Sequence, residues 1–441
     1  MEIKELQKII QESGVVGAGG AGFPTYAKLD ARANTILMNC AECEPLLKLH
    51  RQLLEKHAYE IMKTFHMVAE TVGASEAIIG IKKSYVQTVK ALEQHIEEFP
   101  NMRIHLLEEV YPMGDEVVLI YEATGRVVRP GGLPIEQGVA VFNVETIYNV
   151  YRAVEQQKPV TDKYVSVVAE VSDPVTVRVP LGCTLDEVVA QAGNVTIKDP
   201  VYFVGGPMMG RIGTGSEPVT KTTNAILVLP KDHVIVMKKQ RTSSIDLKRA
   251  ASICCQCNTC TDLCPRNNLG HPIDPALFMR AASNNDYRNV NPYLDSNFCS
   301  SCGVCEMYSC PQSLAPRTLL ADMKAGLKKA GVRPPQVQAA PVQNSREYRK
   351  VPEERLMARL GLTKYDKDAP MDETLVDVPK VKILLSQHIG APAQAIVKAG
   401  DQVTEGQMIA APANGLSVGI HASISGKVTE VTDRYIVIAR N

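Results

Sequence analysis

Residues 254–265 read CCQCNTCTDLCP, and residues 299–311 read CSSCGVCEMYSCP. Each stretch contains a closely spaced cysteine triplet, followed by a further cysteine that directly precedes a proline. Such a triplet reaches three iron corners of a [4Fe–4S] cube from one loop, and the Cys-Pro cysteine normally binds the other cluster of a two-cluster ferredoxin. The two stretches therefore predict a ferredoxin-like helical domain that carries electrons.

The two stretches predict crossed ligand sets. The sets are Cys254, Cys257, Cys260 and Cys310 for cluster 1, and Cys264, Cys299, Cys302 and Cys305 for cluster 2. Tetrahedral zinc is the alternative, since four cysteines also bind that ion. A zinc ribbon needs only paired CxxC knuckles, so two complete runs that end in Cys-Pro favour iron–sulfur clusters.

The composition is that of an ordinary globular protein. The 441 residues correspond to about three domains at a typical size of roughly 150 residues. Lys plus Arg equals Asp plus Glu at 48 each, so the charge indicates neither nucleic acid nor an anionic membrane as a partner. No apolar stretch approaches the roughly 18 residues of a transmembrane helix, and the N-terminus has no signal-peptide pattern. Because cluster cysteines must stay reduced, we expect a cytoplasmic protein.

A glycine-rich segment follows the first predicted helix, residues 3–12. Residues 14–25 read GVVGAGGAGFPT, in which Gly17, Gly19 and Gly22 match the dinucleotide motif GxGxxG. That motif requires a strand before it and a helix after it, whereas this segment follows a helix and precedes a proline turn. Bare N–H groups in such a loop bind phosphate, but a flexible surface loop has the same composition. The segment by itself leaves both interpretations open.

Three later segments complete a recognisable order of motifs. They read NCAECEP at 39–45, YPMGDE at 111–116 and NVET at 143–146. With these motifs the chain resembles the flavin- and NADH-binding 51K subunit of respiratory complex I. It resembles still more closely the C subunit of Rnf electron-transport complexes and the PduS-type cobalamin reductases of bacterial microcompartments. The resemblance covers roughly residues 13–150 and implies an α/β flavin domain that holds FMN and admits NADH.

The resemblance also implies a set of FMN contacts. Carried over by position, they are Gly17, Gly19, Lys28, Asn39, Glu42, Tyr111, Gly114, Glu116, Asn143 and Thr146. Glycine amides and a lysine suit a phosphate, while Asn and Glu suit the ribityl hydroxyls and the ring edge. No catalytic base is needed for hydride transfer, and Phe23 is the candidate for a nicotinamide contact.

The chain departs from the complex I pattern at several positions. Ala18, Met113 and Asp115 stand where complex I has arginine, cysteine and glutamate. Residues 129–134, RPGGLP, also differ from complex I, in which a phenylalanine in this region stacks on adenine. These departures bear on the NADH contacts more than on the flavin contacts.

The remaining chain divides into further units. From residue 161 a β-β-α-β pattern, with Thr184 and Glu187 as a capping box, resembles a β-grasp SLBB (soluble-ligand-binding) domain. The last residues alternate strands with glycine turns and resemble the all-β barrel-sandwich hybrid of lipoyl and biotinyl carriers, although the hairpin at 414–416 has no carrier lysine. The predicted borders are 1–160 for the flavin domain, 161–235 for the β-grasp domain, 236–331 for the ferredoxin-like domain, 332–379 for a Pro- and Gln-rich linker, and 380–441 for the barrel-sandwich hybrid.

The other cysteines and the histidines predict no additional site. Cys40 and Cys43 form a CxxC pair inside the flavin segment and are interpreted as packing thiols. Cys183 and Cys255 are interpreted as small buried hydrophobic residues. His50 and its two neighbours on the same predicted helix have no carboxylate at metal-binding spacing, which is typical of a solvated helix face.

The resemblance implies an NADH-dependent oxidoreductase that uses FMN and two [4Fe–4S] clusters. The implied acceptor is cobalamin, as cob(III)alamin or cob(II)alamin, or a cobalamin-handling enzyme in a microcompartment pathway such as propanediol utilisation. A microcompartment shell protein or a redox protein is a further expected partner. PduS-type proteins carry the barrel-sandwich module last, as here, whereas the Rnf relatives carry it first. The alternative is a non-catalytic adaptor or an Rnf-like subunit that only relays electrons, which the departures at Ala18 and 129–134 favour.

Overall fold

The first part of the chain alternates helices with strands. Its elements are α1 (Ile3–Glu12), β1 (Thr35–Cys40), α2 (Leu49–Lys56), α3 (Ala58–Val72), β2 (Glu76–Lys82), α4 (Val86–Glu93), β3 (Met102–Leu107), β4 (Val110–Tyr111), α5 (Glu116–Thr124), β5 (Val139–Asn143) and α6 (Val144–Glu155). Strands β1, β2, β3 and β5 form a parallel sheet in the order β3-β2-β1-β5. The structure, a computed structural model, describes residues 1–440.

Alternate residues of β1 pack against opposite helical layers. Ile36 and Met38 lie in one core with Phe65 of α3, whereas Leu37 lies in another with Leu119 of α5. Burial on both faces explains why this strand is apolar almost throughout, as is typical of parallel strands covered by helices. The chain leaves β1 towards β2 on one side and returns to it with β5 on the other. The strand order therefore reverses between β1 and β5.

A mixed sheet follows, built from β6 (Asp162–Ala169), β7 (Val175–Pro180), β8 (Pro200–Val204), β9 (Arg211–Gly213) and β10 (Ala225–Pro230). Helix α7 (Leu185–Val189) crosses between β7 and β8, and the predicted capping box between Thr184 and Glu187 is present at its start. Helix α8 (Val234–Lys239) leads out of the sheet. Parallel pairing of β6 with β10 closes the β-grasp arrangement.

Short helices surround the two cysteine stretches. They are α9 (Ser243–Ile253), α10 (Thr259–Asp262), α11 (Pro265–Asn268), α12 (Pro275–Ser283), α13 (Asn291–Leu294) and α14 (Pro316–Lys329), with a π-helical segment at Val304–Ser309. Phe278 of α12, Phe298 and Leu320 of α14 form the small apolar core of this unit.

Residues 332–379, predicted to be a linker, contribute regular structure to their neighbours. They form β11 (Val351–Pro352), α15 (Glu353–Arg359) and β12 (Met371–Leu375). Strand β11 pairs with β4, and β12 pairs with β7 to extend the β-grasp sheet to six strands, in the order β12-β7-β6-β10-β8-β9. Glu353 also forms a buried ion pair with Lys82 of β2. The polar composition of this stretch reflects contacts with other units.

The last part of the chain is a pair of small sheets. Its strands are β13 (Lys380–Leu384), β14 (Gln394–Ala395), β15 (Gln402–Val403), β16 (Met408–Ala411), β17 (Ile420–His421), β18 (Gly426–Val431) and β19 (Tyr435–Ala439). The sheets have the orders β13-β19-β18-β15 and β14-β16-β17, and Ile383, Ile409 and Ile438 lie buried in the core. None of the helices described in residues 1–440 is long and apolar enough to cross a membrane.

A buried ion-pair cluster joins α6 to the β-grasp sheet. Arg152 of α6 donates two hydrogen bonds, of 2.7 and 2.6 Å, to the carboxylate of Asp162 on β6. Arg178 of β7 donates a third, of 2.7 Å. Burial opposes ionisation of Asp162, but the two guanidinium groups outweigh it and hold the pKa of this carboxyl at about 2.

We expect Asp162→Asn to destabilise the protein because it leaves the buried guanidinium of Arg152 without its counter-charge. Breaking a buried pair costs about 3–5 kcal/mol, so thermal melts followed anaerobically by circular dichroism should show a midpoint several degrees lower. The carboxylate stabilises the fold above its ordinary pKa of 3.8, and that contribution is lost as the pH falls towards 2. The difference between the two proteins should therefore shrink at acidic pH.

Asp286→Asn is the matched control for this prediction. Asp286 also pairs with an arginine, Arg288, at 2.8 Å, but the arginine is exposed to solvent. Exposed pairs contribute little to stability, so this variant should melt like the wild type. Equal losses in the two variants would contradict the role assigned to burial.

Candidate flavin site and cysteine-lined cavities

A cavity of about 720 Å³ opens where the strand order of the parallel sheet reverses. Asn39 near the end of β1 and Asn143 at the end of β5 both line it. Open α/β sheets bind ligands at the carboxyl ends of strands at such a switch point. We refer to this space as the switch-point cavity.

The glycine-rich segment forms one wall of the switch-point cavity. The amide of Gly17 donates to the carbonyl of Phe23 (2.9 Å), which folds the segment into a closed loop. The amide of Ala18 donates to the hydroxyl of Thr146 (3.0 Å), which ties the loop to the start of α6. Gly19 lies so close to the Asn143 side chain that a Cβ atom there would collide with its amide, whereas Gly20 faces open space. The loop is thus held against the sheet and is not a free surface loop.

The N-terminus of α6 points at the same cavity. The Asn143 side chain accepts hydrogen bonds from the amides of Glu145 (3.0 Å) and Thr146 (3.4 Å), so Asn143 is the N-cap of this helix. A helix N-terminus favours anions such as phosphate. Lys28 adds a positive charge to the lining, where its ammonium donates to the carbonyl of Val141 (2.8 Å) and pairs with Glu116 (3.3 Å).

One buried hydroxyl in the cavity wall has no partner. Thr25 is 1% exposed and lines the cavity, and its Oγ1 has no hydrogen-bond partner in the structure. A buried hydroxyl without a partner costs free energy, and a polar ligand would remove that cost. The glycine amides, the α6 N-terminus, Lys28 and Thr25 together fit a ligand with a phosphate and several hydroxyl groups.

The structure divides the FMN contacts implied by the sequence into two groups. Those that line the cavity are Gly17, Gly19, Lys28, Asn39, Glu116, Asn143 and Thr146, together with the nicotinamide candidate Phe23. Three others, Glu42, Tyr111 and Gly114, lie outside the lining. Sequence reasoning did not identify Gly20, Ala21, Gly22, Thr25, Val141 and Phe142, which also line it. The signal for Gly22 and Thr25 was present, since both fall within the GxGGAGFPT motif.

The three residues outside the lining have identifiable structural roles. The Glu42 carboxylate accepts from the amides of His50 (2.7 Å) and Arg51 (3.3 Å) at the start of α2. The carbonyl of Gly114 accepts from the Asn39 side chain (2.9 Å) and so orients a residue that lines the cavity. The Tyr111 hydroxyl donates to the carbonyl of Cys302 (2.6 Å) and so contacts a cysteine loop.

A buried polar network lies behind Asn143. The ring of His50 lies 3.3 Å from the Asn143 amide nitrogen, with Glu42 at 3.7 Å and Glu145 at 4.0 Å on either side. The prediction that His50 belongs to a solvated helix face is wrong, because this ring packs under the cavity. Burial, assisted by the charge of Lys163, lowers the pKa of His50 to about 3, so the ring is neutral. The network fixes the orientation of Asn143 from below.

The cysteine quartets surround two separate cavities. One, of about 450 Å³, is lined by Cys254, Cys257, Cys260 and Cys310, and the other, of about 330 Å³, is lined by Cys264, Cys299, Cys302 and Cys305. Each cavity therefore receives the Cys-Pro cysteine of the other stretch, in the crossed arrangement that the spacing predicts. Within residues 1–440 no three His, Cys, Asp or Glu side chains are placed to hold a single metal ion. The thiols surround a space and do not converge on one point.

The two quartets differ in their access to solvent. At the first cavity Cys257 is exposed, and Cys255 beside it is exposed as well, so the prediction that Cys255 is buried is wrong. At the second cavity Cys305 is buried. Burial, followed by the neighbouring Cys310, raises the pKa of the Cys260 thiol to about 12. Bound iron would hold these groups as thiolates.

The second cavity adjoins the flavin-side unit. Besides the Tyr111 hydrogen bond, Arg266 pairs with Asp115 at 2.9 Å. Asp115 is also the N-cap of α5, and it accepts from the amides of Val117 (3.0 Å) and Val118 (3.2 Å). Because Arg266 follows Cys264 by two positions, this ion pair holds the second quartet against the unit that contains the switch-point cavity.

Three domain families match parts of the chain. Residues 10–152 match the Nuo51 FMN-binding domain, residues 253–315 match the 4Fe-4S dicluster domain, and residues 364–441 match the RnfC barrel sandwich hybrid domain. The chain thus contains an FMN-binding domain and a 4Fe-4S dicluster domain. These matches confirm the predicted fold class.

Relatives match almost the whole chain. The chain is 41% identical to the cobalamin reductase PduS of Salmonella typhimurium over 438 residues, which cover 99% of this chain and 96% of the relative. It is 40% identical to the cobalamin reductase PduS of Citrobacter freundii, over 100% of this chain and 97% of the relative. A component of the Na(+)-translocating ferredoxin:NAD(+) oxidoreductase complex of Acetobacterium woodii, its C subunit, is 29% identical, over 60% of this chain and 58% of that relative.

The fold is similar to that of a solved structure. A chain of the NAD+-reducing [NiFe]-hydrogenase in its H2-reduced state superposes with a TM-score of 0.51 at 21% identity. The superposition covers 76% of this chain and 64% of that chain.

Gly19→Ala should weaken FMN binding while Gly20→Ala should not. A methyl group at Gly19 collides with the Asn143 amide, whereas one at Gly20 meets no atom within 4 Å. The cofactor content after anaerobic reconstitution, measured by acid release of the flavin, should fall markedly only in the first variant. Full FMN content in a folded Gly19→Ala protein would place the flavin elsewhere.

Cys264→Ala should remove iron from the second cavity only. With two [4Fe–4S] clusters the wild type should hold about eight irons and eight acid-labile sulfides per chain, and this variant should lose up to half of each. Electron paramagnetic resonance should show that the signal of the other cluster persists. Cys255→Ala is the control, and it should retain the iron of the wild type because Cys255 belongs to neither quartet. Stoichiometric zinc without sulfide in the wild type would contradict the assignment.

Proposed function

Because the chain belongs to the family of the cobalamin reductases PduS, we propose that it is an oxidoreductase that takes electrons from NADH and reduces cobalamin. The observation that carries the proposal is the pairing of a flavin-type cavity with two cysteine-lined cavities in one chain. The Tyr111 hydroxyl and the Arg266–Asp115 pair hold the second cysteine cavity against the flavin-side unit. This arrangement suits electron transfer between cofactors in fixed positions.

The residues of the switch-point cavity would hold FMN. Phosphate oxygens would accept from amides of the glycine loop and the α6 N-terminus, next to Lys28. Thr25 and Asn39 would bind hydroxyl groups, and Phe23 would contact the nicotinamide of NADH. When bound, FMN accepts both electrons of a hydride and releases them singly, which suits iron–sulfur acceptors.

The cysteine quartets would hold two [4Fe–4S] clusters. Cluster 1 would be bound by Cys254, Cys257, Cys260 and Cys310, and cluster 2 by Cys264, Cys299, Cys302 and Cys305. The crossed lining of the two cavities supports this assignment. Because Cys257 is exposed and Arg280 lines the first cavity, the electron acceptor would approach the chain at cluster 1.

The segment that departs from complex I has a place in this arrangement. Gly131 lies against the ring of Phe298, with 3.4 Å from the position of a Cβ atom to the nearest ring carbon, and Arg129 pairs with Glu136 at 2.7 Å. The segment therefore packs on the ferredoxin-like unit. NADH would enter past Phe23 and use adenosine contacts different from those of complex I.

We place these functions in units with the borders predicted from the sequence: 1–160, 161–235, 236–331, 332–379 and 380–441. Residues 332–379 would serve as a connector that also contacts other units. On the resemblance to microcompartment reductases, the protein would work in association with a bacterial microcompartment. A shell protein or a cobalamin-handling enzyme would be its partner there.

Anaerobic titration with NADH tests the proposed function. The flavin absorbance should decrease first and the cluster absorbance afterwards, because only flavin accepts a hydride. Cys302→Ala should leave the first phase intact and cut the transfer of electrons to cob(III)alamin, since it removes a ligand of cluster 2. A protein loaded with FMN that is not bleached by NADH, but whose clusters are reduced by dithionite, would instead be the relay adaptor.

A further inference from the structure

Three units of the chain meet at one buried lysine. The ammonium of Lys221, in the β-grasp unit, donates to the carbonyls of Gly14 (2.6 Å) and Gly419 (3.1 Å). Its backbone amide donates to the side chain of Gln387 (3.0 Å). Gly14 precedes the glycine loop, whereas Gln387 and Gly419 belong to the C-terminal barrel-sandwich module. A single residue thus connects the flavin-side unit, the β-grasp unit and the module.

This lysine is in an unusual environment. Lys221 is 2% exposed, and no carboxylate forms an ion pair with it in the part of the chain that the structure describes. Burial lowers its pKa to about 7. A buried amine is expensive unless its hydrogen bonds are made, so the two carbonyl contacts are the reason that the residue is tolerated there.

The barrel-sandwich module also contacts the far end of the glycine loop. The amide of Ile389 donates to the carbonyl of Gly22 (3.2 Å). Gly22 has a φ of +74°, and a Cβ atom there would lie 3.0 Å from the carbonyl oxygen of Gln387. Only glycine accommodates both the backbone conformation and this close approach. Gly22 lines the switch-point cavity, so the module reaches the wall of that cavity.

Further contacts fix the module against the first helix. The amide of Gly419 donates to the carbonyl of Gln11 (3.0 Å), and the Gln11 side chain donates to the carbonyl of Ser417 (3.1 Å). The hydroxyl of Tyr26 donates to the carbonyl of Gly415 (3.3 Å). The glycine loop is thus held at both ends, with Gly14 and Gln11 on one side and Gly22 and Tyr26 on the other.

We propose that the C-terminal barrel-sandwich module, connected through Lys221, is a positioning element for the glycine loop that forms the flavin and NADH site. The proposal rests on the proposed function in taking that loop as the flavin site. A loop with four glycines in six residues loses much conformational entropy when it closes on a ligand. Holding both ends in advance reduces that loss at the moment of binding. The module acts here without a carrier lysine, because its role is to support the loop.

Lys221→Met tests the proposal with little change in volume. It removes the donor to Gly14 and Gly419, and we expect FMN to bind about ten-fold more weakly, as for the loss of a hydrogen bond from a charged group. The KM for NADH should rise, while iron, sulfide and reduction by dithionite stay at wild-type values. Lys427→Met is the matched control, because Lys427 is exposed on the same module. Unchanged FMN affinity and KM in Lys221→Met would overturn the proposal.

A second pair of variants covers the outcome in which Lys221→Met fails to fold. Ile389→Pro removes the amide that donates to Gly22, and Ile389→Ala keeps it. Ile389 is 48% exposed, so its side chain contributes little to the core. Weaker FMN binding in the proline variant alone, with full iron content, supports the proposal, whereas equal binding in both overturns it. FMN affinity is measured without NADH, so these experiments remain decisive even if the wild type fails to oxidise NADH.

Discussion

Buried charged groups that need partners hold the units of this protein together. Lys163 of the β-grasp sheet pairs with Glu145 beneath the switch-point cavity, and Arg266 of the ferredoxin-like unit pairs with Asp115. Lys221 satisfies the same requirement with carbonyl groups. Removing one partner would leave the other buried and unpaired, at a cost of several kcal/mol. The units are therefore held in fixed positions relative to one another, although each has its own sheet or helical core.

Fixed positions matter because the proposed chemistry is divided between cavities. The flavin-side unit supplies the switch-point cavity, and the short helices supply the cysteine cavities. Tyr111 shows how the two are joined: its strand β4 follows the flavin-side sheet, it pairs with β11, and its hydroxyl binds the backbone of Cys302. A residue that belongs to a flavin motif thus holds a cluster loop in place. The motif YPMGDE serves the junction as much as the cavity, since Asp115 pairs with Arg266.

Local signals were the most reliable guide to this structure. The cysteine spacing predicted the crossed lining of both cavities, and the Thr184–Glu187 capping box predicted the start of α7. Contacts between distant segments could not be predicted in this way. His50 lies on a helix whose pattern suggests a solvated face, but the sheet edge covers its ring. The polar composition of residues 332–379 indicates a linker, because the sequence does not show that α15 packs on the flavin-side and β-grasp units.

The position of the barrel-sandwich module in the chain follows from the same contacts. Residues 364–441 match the RnfC barrel sandwich hybrid domain, which the Rnf resemblance places at the start of a chain. In this protein the module lies beside α1, and Gln11 contacts Ser417 and Gly419. A module that adjoins the first helix is attached with similar ease before that helix or after the last unit. Selection for a supported glycine loop would therefore preserve the contact and leave the order of the chain free to vary.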